Sequence, residues 1–261
     1  MGDVVPHSQD RQLPCAQVLG SRINALGWRD SVSVIGRWAA RHESRYVCIS
    51  NVHMVMTAQV DRELADAMRQ ADMATPDGAP IAWMLRRLGF AGQPRISGTE
   101  LMHAYLAHAS TKGESVFLFG STQGTLAALM DKLKAAYPAL MIAGAVSPPF
   151  RPATAEEDAA IVAQINASGA GTVWVSLGCP KQEKWMLSHR GRVNAVILGV
   201  GAAFDFIAGV KPRAPVWMQR AGLEWLHRLA SEPGRLWKRY LMTNSLFALG
   251  AVRQLLFGPK P

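Results

Sequence analysis

Short apolar runs alternate with stretches of helical spacing along most of the chain. Tyr46–Ser50 (YVCIS) is apolar and partly β-branched, which predicts a buried strand, and Val116–Phe119 (VFLF), Met141–Val146, Thr172–Leu177 and Asn194–Val200 predict further strands. Between and around them, Ser31–His42, Met54–Arg69, Ile81–Leu88, Thr99–Ala109, Thr122–Tyr137, Thr154–Asn166 and Pro180–His189 predict helices. In the second of these, Met54, Val55, Ala58, Leu64, Ala65 and Met68 recur at helical spacing. Thr154 followed three residues later by Glu157 is a capping box. Strands alternating with helices predict an α/β fold, with a mostly parallel sheet covered by helices on both faces. Ligands of such sheets gather at the carboxyl ends of the strands.

The pattern fails at both ends. Residues 1–28 predict a flexible N-terminal arm, and the opening MGDVVPHSQDRQLPC lacks the apolar core of a signal peptide. After Gly209 the alternation stops, VKPRAPVW carries two prolines, and the remainder reads as helical and basic. The expected organisation is an arm (1–28), an α/β core (29–210) and a basic helical appendage (211–261).

Charge sharpens that division. The 261 residues carry a formal charge of +9. Nine of the lysines and arginines, but only Glu224 and Glu232 among the acids, follow Gly209. Such an excess suits nucleic acid, an anionic membrane or a phosphorylated substrate. In the tail, Trp217, Trp225, Leu226, Trp237, Tyr240 and Leu241 are interleaved with Arg220, Arg228, Arg235, Lys238 and Arg239. Rings beside cations suit a helix lying on an anionic lipid surface, or a helical pair packed on the core with its arginines reaching outward. The apolar content exceeds what a helix tracking nucleic-acid phosphates needs. The run Leu241–Phe257 holds Asn244, Arg253 and Gln254 and falls short of the ~20 residues of a spanning helix. Cys15, Cys48 and Cys179 give neither a disulfide framework nor zinc spacing, and the histidines show no metal-ligand spacing.

Four stretches carry candidate chemistry. In VSLGCPKQEKW, Gly178 ends a strand and Pro180 opens a helix whose N-terminus favours an anion. Lys181 adds charge, and Gln182 and Glu183 suit sugar hydroxyls or an amide. The bland alternative is a capped helix with a solvated first turn. TPDG (75–78) is either an ordinary turn or a loop that holds Asp77, beside Gly78, as a general base. RISGTEL puts Arg95 before a helix start at Ser97 and Gly98, where a guanidinium suits a diphosphate or faces solvent. FGSTQG carries Gly120 and Ser121 after a strand but lacks the dinucleotide-binding and phosphate-loop spacings. Asp205, in FDFIAG, faces a ligand or caps a turn.

These pieces, TPDGAPIAW, RISGTEL, VFLFGSTQG, VSLGCPKQEKW, GVGAAFDFIAG, KPRAPVWMQRAGLEWLHRL and EPGRLWKRYL, occur in an order that resembles the WecG/TagA/CpsF family of bacterial glycosyltransferases. The resemblance covers about residues 46–240. It implies a Rossmann-like core and an inverting transfer of a sugar from a UDP-sugar to a polyprenyl-diphosphate-linked saccharide. The sugar it implies is N-acetylmannosamine, its uronic acid or glucose. It implies no cofactor or metal, and a cytoplasmic location at the inner face of the plasma membrane, with the appendage docked on the lipid. By position, Asp77 resembles the family's base, Arg95 its phosphate-binding arginine, Gln182 a polar residue near the substrate and Asn51 the asparagine that closes the first strand. Arg213 matches the appendage. Where the family often has threonine two residues before that asparagine, this chain has Ile49, with Ser50 adjoining. The competing reading is a peripheral membrane scaffold without catalysis. It would share the tail but have no use for Asp77, Arg95 and Gln182 together at strand ends.

Overall fold

The computed structural model describes residues 13–258, apart from the side chains of Arg220, Arg235, Leu236, Lys238 and Arg239. Arg220, Arg235, Lys238 and Arg239, expected at a lipid surface, therefore lie outside the described side chains.

The first described element corrects the expectation of a flexible arm for residues 13–28; residues 1–12 of that arm lie outside the described residues. β1 (Cys15–Val18) and β2 (Ser21–Asn24) pair antiparallel around a two-residue turn, Leu19-Gly20, with φ of 47° and 80°. This mirror-image turn matches the twist of its strands, but a leucine in the left-handed region is strained. Distant contacts hold it there. The Leu19 N–H donates to Gln254 Oε1 at 2.9 Å, and the Leu19 carbonyl accepts from Gln59 Nε2 at 2.7 Å. Val18 and Ile23 are buried, and Asn24 Oδ1 accepts the Ala74 N–H at 2.8 Å.

Next come α1 (Trp28–Ala40), β3 (Arg45–Ser50), α2 (Val52–Ala58) and α3 (Arg62–Gln70). The single helix expected over 54–69 is thus two. Asp61 starts the second by accepting the Leu64 N–H at 3.1 Å, a side-chain cap that a continuous helix would not need. β4 (Met73–Pro76) corrects a second expectation, because the first half of the loop-like ATPDGAP is strand. A proline at the end of an edge strand costs no ladder bond.

The chain continues through α4 (Ala79–Arg87), α5 (Gly98–Lys112), β5 (Ser115–Gly120), α6 (Gln123–Ala136), β6 (Met141–Val146), α7 (Ala155–Ala167), β7 (Thr172–Ser176), α8 (Lys181–His189), β8 (Val196–Gly199) and α9 (Ala203–Ala208). The capping box of α7 is present, with Thr154 and Glu157 bonding each other's backbone N–H. The six strands β4-β3-β8-β7-β5-β6 form one parallel sheet. From β3 the chain steps to one edge, crosses to β5 and the other edge, then returns to fill the middle. Alternate residues separate two apolar layers. Val47, Ile49, Leu118, Trp174 and Leu198 face α1, α5, α6 and α9, whereas Tyr46, Cys48, Phe117, Val173 and Ile197 face α2, α3, α4 and α8. Burial on both faces explains why these strands read as unbroken apolar runs.

α10 (Val216–Arg220), α11 (Glu224–Ser231) and α12 (Pro233–Phe257) complete the fold. The boundary expected near 210 is a change of composition, not of packing. Phe247 and Ala251 of α12 belong to the second apolar layer, and Gln254 Nε2 donates to the Gln17 carbonyl at 2.6 Å. The opposite side of α12 leaves Leu241, Met242, Leu249, Val252 and Leu256 exposed. Among the described residues no helix is long and apolar enough to cross a membrane. Because Phe247 is 4% exposed, Phe247→Ala is expected to lower stability by about 3–5 kcal/mol. Denaturant unfolding checks this, the midpoint falling with little change in slope.

Candidate active site

The parallel ladder brings the predicted residues to one edge. Asn51 follows β3, Asp77 follows β4, Ser121 follows β5, Gly178 and Gln182 follow β7, and Gly201 follows β8. At β4 the ladder extends one residue past the strand, the Asp77 N–H donating to the Ser50 carbonyl at 2.9 Å. The Pro76 carbonyl accepts the Ile96 N–H at 2.8 Å, which ties the Arg95 loop to the same edge. Gly78, at φ 86°, turns the chain into α4. That conformation is open to glycine at little cost.

Asn51 Oδ1 caps α2 by accepting the Met54 N–H at 3.1 Å. This commits its oxygen, so its amide N–H is what the side chain offers the neighbouring Asp77 carboxylate, whose ionised form it favours. Burial pushes the Asp77 carboxyl up to about 6, and the Glu224 carboxylate adds to the rise. Arg228, Arg95 and the Asn51 hydrogen bond oppose it.

Arg95 sits in a four-membered ion network. Its guanidinium donates to Glu224 at 2.9 Å and to both oxygens of Glu100 at 2.9 and 3.0 Å. Arg213 lies 3.2 Å from Glu100 and 3.7 Å from Glu224, with Nε and Nη2 buried and lacking a well-directed hydrogen bond. Ser97 caps α5 and donates to Glu100 at 2.7 Å. Gly98 lies close to β8, where an added Cβ would fall 3.2 Å from the Val200 carbonyl. A cavity of about 420 Å³ opens beside this network, lined by Trp28, Arg95, Glu100 and Ala104. A larger groove of about 610 Å³ between α1 and α5 contains none of the predicted residues.

The C-terminal segment covers Asp77. A Cβ on Gly222, between α10 and α11, would lie 2.9 Å from that of Ala79, so glycine lets α11 approach the start of α4. Arg228, expected at a lipid surface, is instead partly buried, with its guanidinium 4.9 Å from the Phe206 ring centroid and acting on Asp77. Asp205 is paired with Lys211 at 3.2 Å. Glu183, expected to read substrate, is fully enclosed and touches Gln182. Lys181 is exposed and Pro180 partly so, at the start of α8. Gly120, at φ 116°, permits β5 to approach β7, since a Cβ there would fall 2.4 Å from the Ser176 carbonyl. Ser121 donates its backbone N–H to that carbonyl at 3.0 Å. Among the described residues no group of three or more His, Cys, Asp or Glu is placed to hold a metal ion.

Residues 16–261 match the family model described as glycosyl transferase WecG/TagA/CpsF. The chain belongs to this family. It is also 31% identical over 216 residues to the N-acetylglucosaminyldiphosphoundecaprenol N-acetyl-beta-D-mannosaminyltransferase of Bacillus subtilis (strain 168), covering 81% of this chain and 82% of the relative. In this glycosyltransferase, sequence reasoning missed Glu100, Glu224 and Gly222. Glu100 was visible only as the capping acid of α5. The partnership of Glu224 with Arg95 spans 129 positions and leaves no local trace.

The Asp77 shift has a consequence for stability. Its folded value of about 6 exceeds the usual 3.8, so the folded protein holds the proton more tightly than the unfolded chain. Stability is lost as pH rises from about 4 to about 6 and stays lower above that. Asp77→Asn is therefore expected to stabilise the fold at pH 8 by at most about 3 kcal/mol, and so to raise its unfolding temperature there. The gain should shrink as the pH approaches 4, which thermal scans of the two proteins across pH measure.

Proposed function

We propose that this glycosyltransferase moves an N-acetylmannosamine-type sugar, its uronic acid or glucose from a UDP-sugar to a polyprenyl-diphosphate-linked saccharide, with inversion and with Asp77 as general base. The observation carrying this reading is the Asp77 carboxyl itself. It lies at the strand-end edge, its backbone N–H held by the Ser50 carbonyl, and burial raises it to about 6 with Arg95 and Asn51 acting against the rise. The name of the Bacillus subtilis relative supports the acceptor class and the N-acetylmannosaminyl group.

The chemistry follows from these groups. Asp77 takes the proton of an acceptor hydroxyl, and the oxygen attacks the anomeric carbon from the face opposite UDP. The bond to UDP breaks, and its electrons pass to the diphosphate. Arg95 and Arg213 supply charge for that oxygen without a metal. Both are paired with Glu100 and Glu224, so a diphosphate has to exchange with one of these carboxylates. Asp77 follows β4 and Gln182 follows β7, three strand spacings or about 14 Å apart along the edge, which leaves room for a sugar and its diphosphate between them. The exposed apolar side of α12 and the exposed Trp217 suit a lipid surface, which would bring the polyprenyl-linked acceptor to the edge.

A panel of UDP-sugars with a short-chain polyprenyl-diphosphate acceptor, read by mass spectrometry, tests the reaction. Asp77→Asn is expected to lower turnover by roughly 10²–10⁴-fold. The parent's rate should fall as the pH drops below about 6, because only the ionised carboxylate accepts a proton. An Asn variant as active as the parent overturns the assignment. For the lipid surface, the pair Leu249→Glu and Leu256→Glu should weaken binding to anionic phospholipid vesicles by more than about tenfold. Their unfolding temperature should stay near that of the parent, and sedimentation with vesicles reads the difference.

A further inference from the structure

Gln182 and Glu183 are neighbours in the first turn of α8, and both side chains are enclosed. Gln182 Oε1 accepts the Gly178 N–H at 3.2 Å, and Gln182 Nε2 donates to Glu183 Oε1 at 2.8 Å. Together these bonds decide which way round the amide stands. Turned over, its nitrogen would meet the Gly178 N–H donor to donor, and its oxygen would meet a carboxylate oxygen. An amide nitrogen carries two hydrogens, and among the described residues only one of those on Gln182 finds an acceptor. The amide lies against the carboxyl end of β8. A Cβ on Gly199 would be 3.0 Å from Nε2, and one on Gly201 would be 3.6 Å from Oε1. Glycine at position 199 leaves that space to Gln182 and Met186.

Stability alone does not account for an acid beside this amide. Glu183 is 0% exposed, and its Oε2 has no hydrogen-bond partner. Burial raises its carboxyl pKa, while Gln182 and the Cys179 thiol act in the opposite direction. An apolar side chain of the same volume would fill the space without desolvating a carboxyl.

We propose that Glu183 is a positioning residue for sugar transfer, whose carboxylate locks the Gln182 amide so that its second N–H meets an oxygen of the nucleotide sugar. This rests on the reading of Gln182 as a side chain that contacts substrate. The oxygen belongs either to the diphosphate or to the sugar, and binding of UDP alone against UDP-N-acetylmannosamine separates the two. A diphosphate contact weakens both ligands in a Glu183→Gln variant, and a sugar contact weakens only the second.

The test is a double-mutant cycle in the full chain, with Gln182→Ala, Glu183→Gln and the pair, read as kcat/KM and unfolding temperature. Glu183→Gln keeps the shape but presents either end of an amide, so it no longer dictates the orientation of its neighbour. It is expected to lower kcat/KM by roughly tenfold without lowering the unfolding temperature, and to cost nothing further in the Gln182→Ala background. Glu183→Met, which fills the space and offers no strong acceptor, is read the same way if the glutamine variant does not fold. Full activity of Glu183→Gln, or a loss that adds to that of Gln182→Ala, overturns the positioning role alone. An unimpaired Gln182→Ala instead overturns the reading of Gln182, and the proposal with it.

Discussion

The candidate site depends on two arginines sharing two glutamates. Arg95 comes from the loop before α5 and Glu100 from its first turn, while Arg213 and Glu224 come from the C-terminal segment. An isolated exposed pair would contribute little. Here the members are partly enclosed, and removing any one leaves another charge without its partner. The network ties α11 to the start of α5, and α11 in turn adjusts a proton affinity of Asp77 that burial raises first. Glu224 raises it and Arg228 lowers it. A carboxylate at the end of an edge strand thus owes part of its character to residues almost 150 positions later in the chain.

The sequence made the interior of the sheet legible, for a physical reason. Strands buried on both faces carry apolar side chains at every position, and a run such as VFLF has few other uses. The same logic failed at the margins. β4 ends in a proline and runs into Asp77 and Gly78, so its turn chemistry masked its pairing. The hairpin closes on Leu19 where Asn or Asp would have announced it, and only contacts with Gln59 and Gln254 make that leucine tolerable. Helix spacing continued in phase across 59–61, which hid the break between α2 and α3.

The site was legible in the same uneven way. Motif order pointed to Asp77, Asn51, Gln182 and Arg95; the first three follow strands whose carboxyl ends lie on one edge, and Arg95 is held near it by the hydrogen bond from the Ile96 N–H to the Pro76 carbonyl. Orientation was not legible. Glu183 is as polar as its neighbours in the KQEK run, yet the helix turns it inward against Gln182. Arg228 reads like the other tail cations, yet it stands over Phe206 rather than facing outward.

The Leu19-Gly20 turn binds the beginning of the chain to its end, since the Leu19 N–H and Gln254 are separated by 235 positions. During synthesis the hairpin and Gln59 leave the ribosome well before Gln254, the other group that holds the strained turn. Until α12 leaves the ribosome, the hairpin lacks its bond to Gln254 and the second apolar layer lacks Phe247 and Ala251. A nascent chain stalled before α12 would therefore leave part of that layer uncovered, so the packing of the hairpin is completed by a helix made long after it.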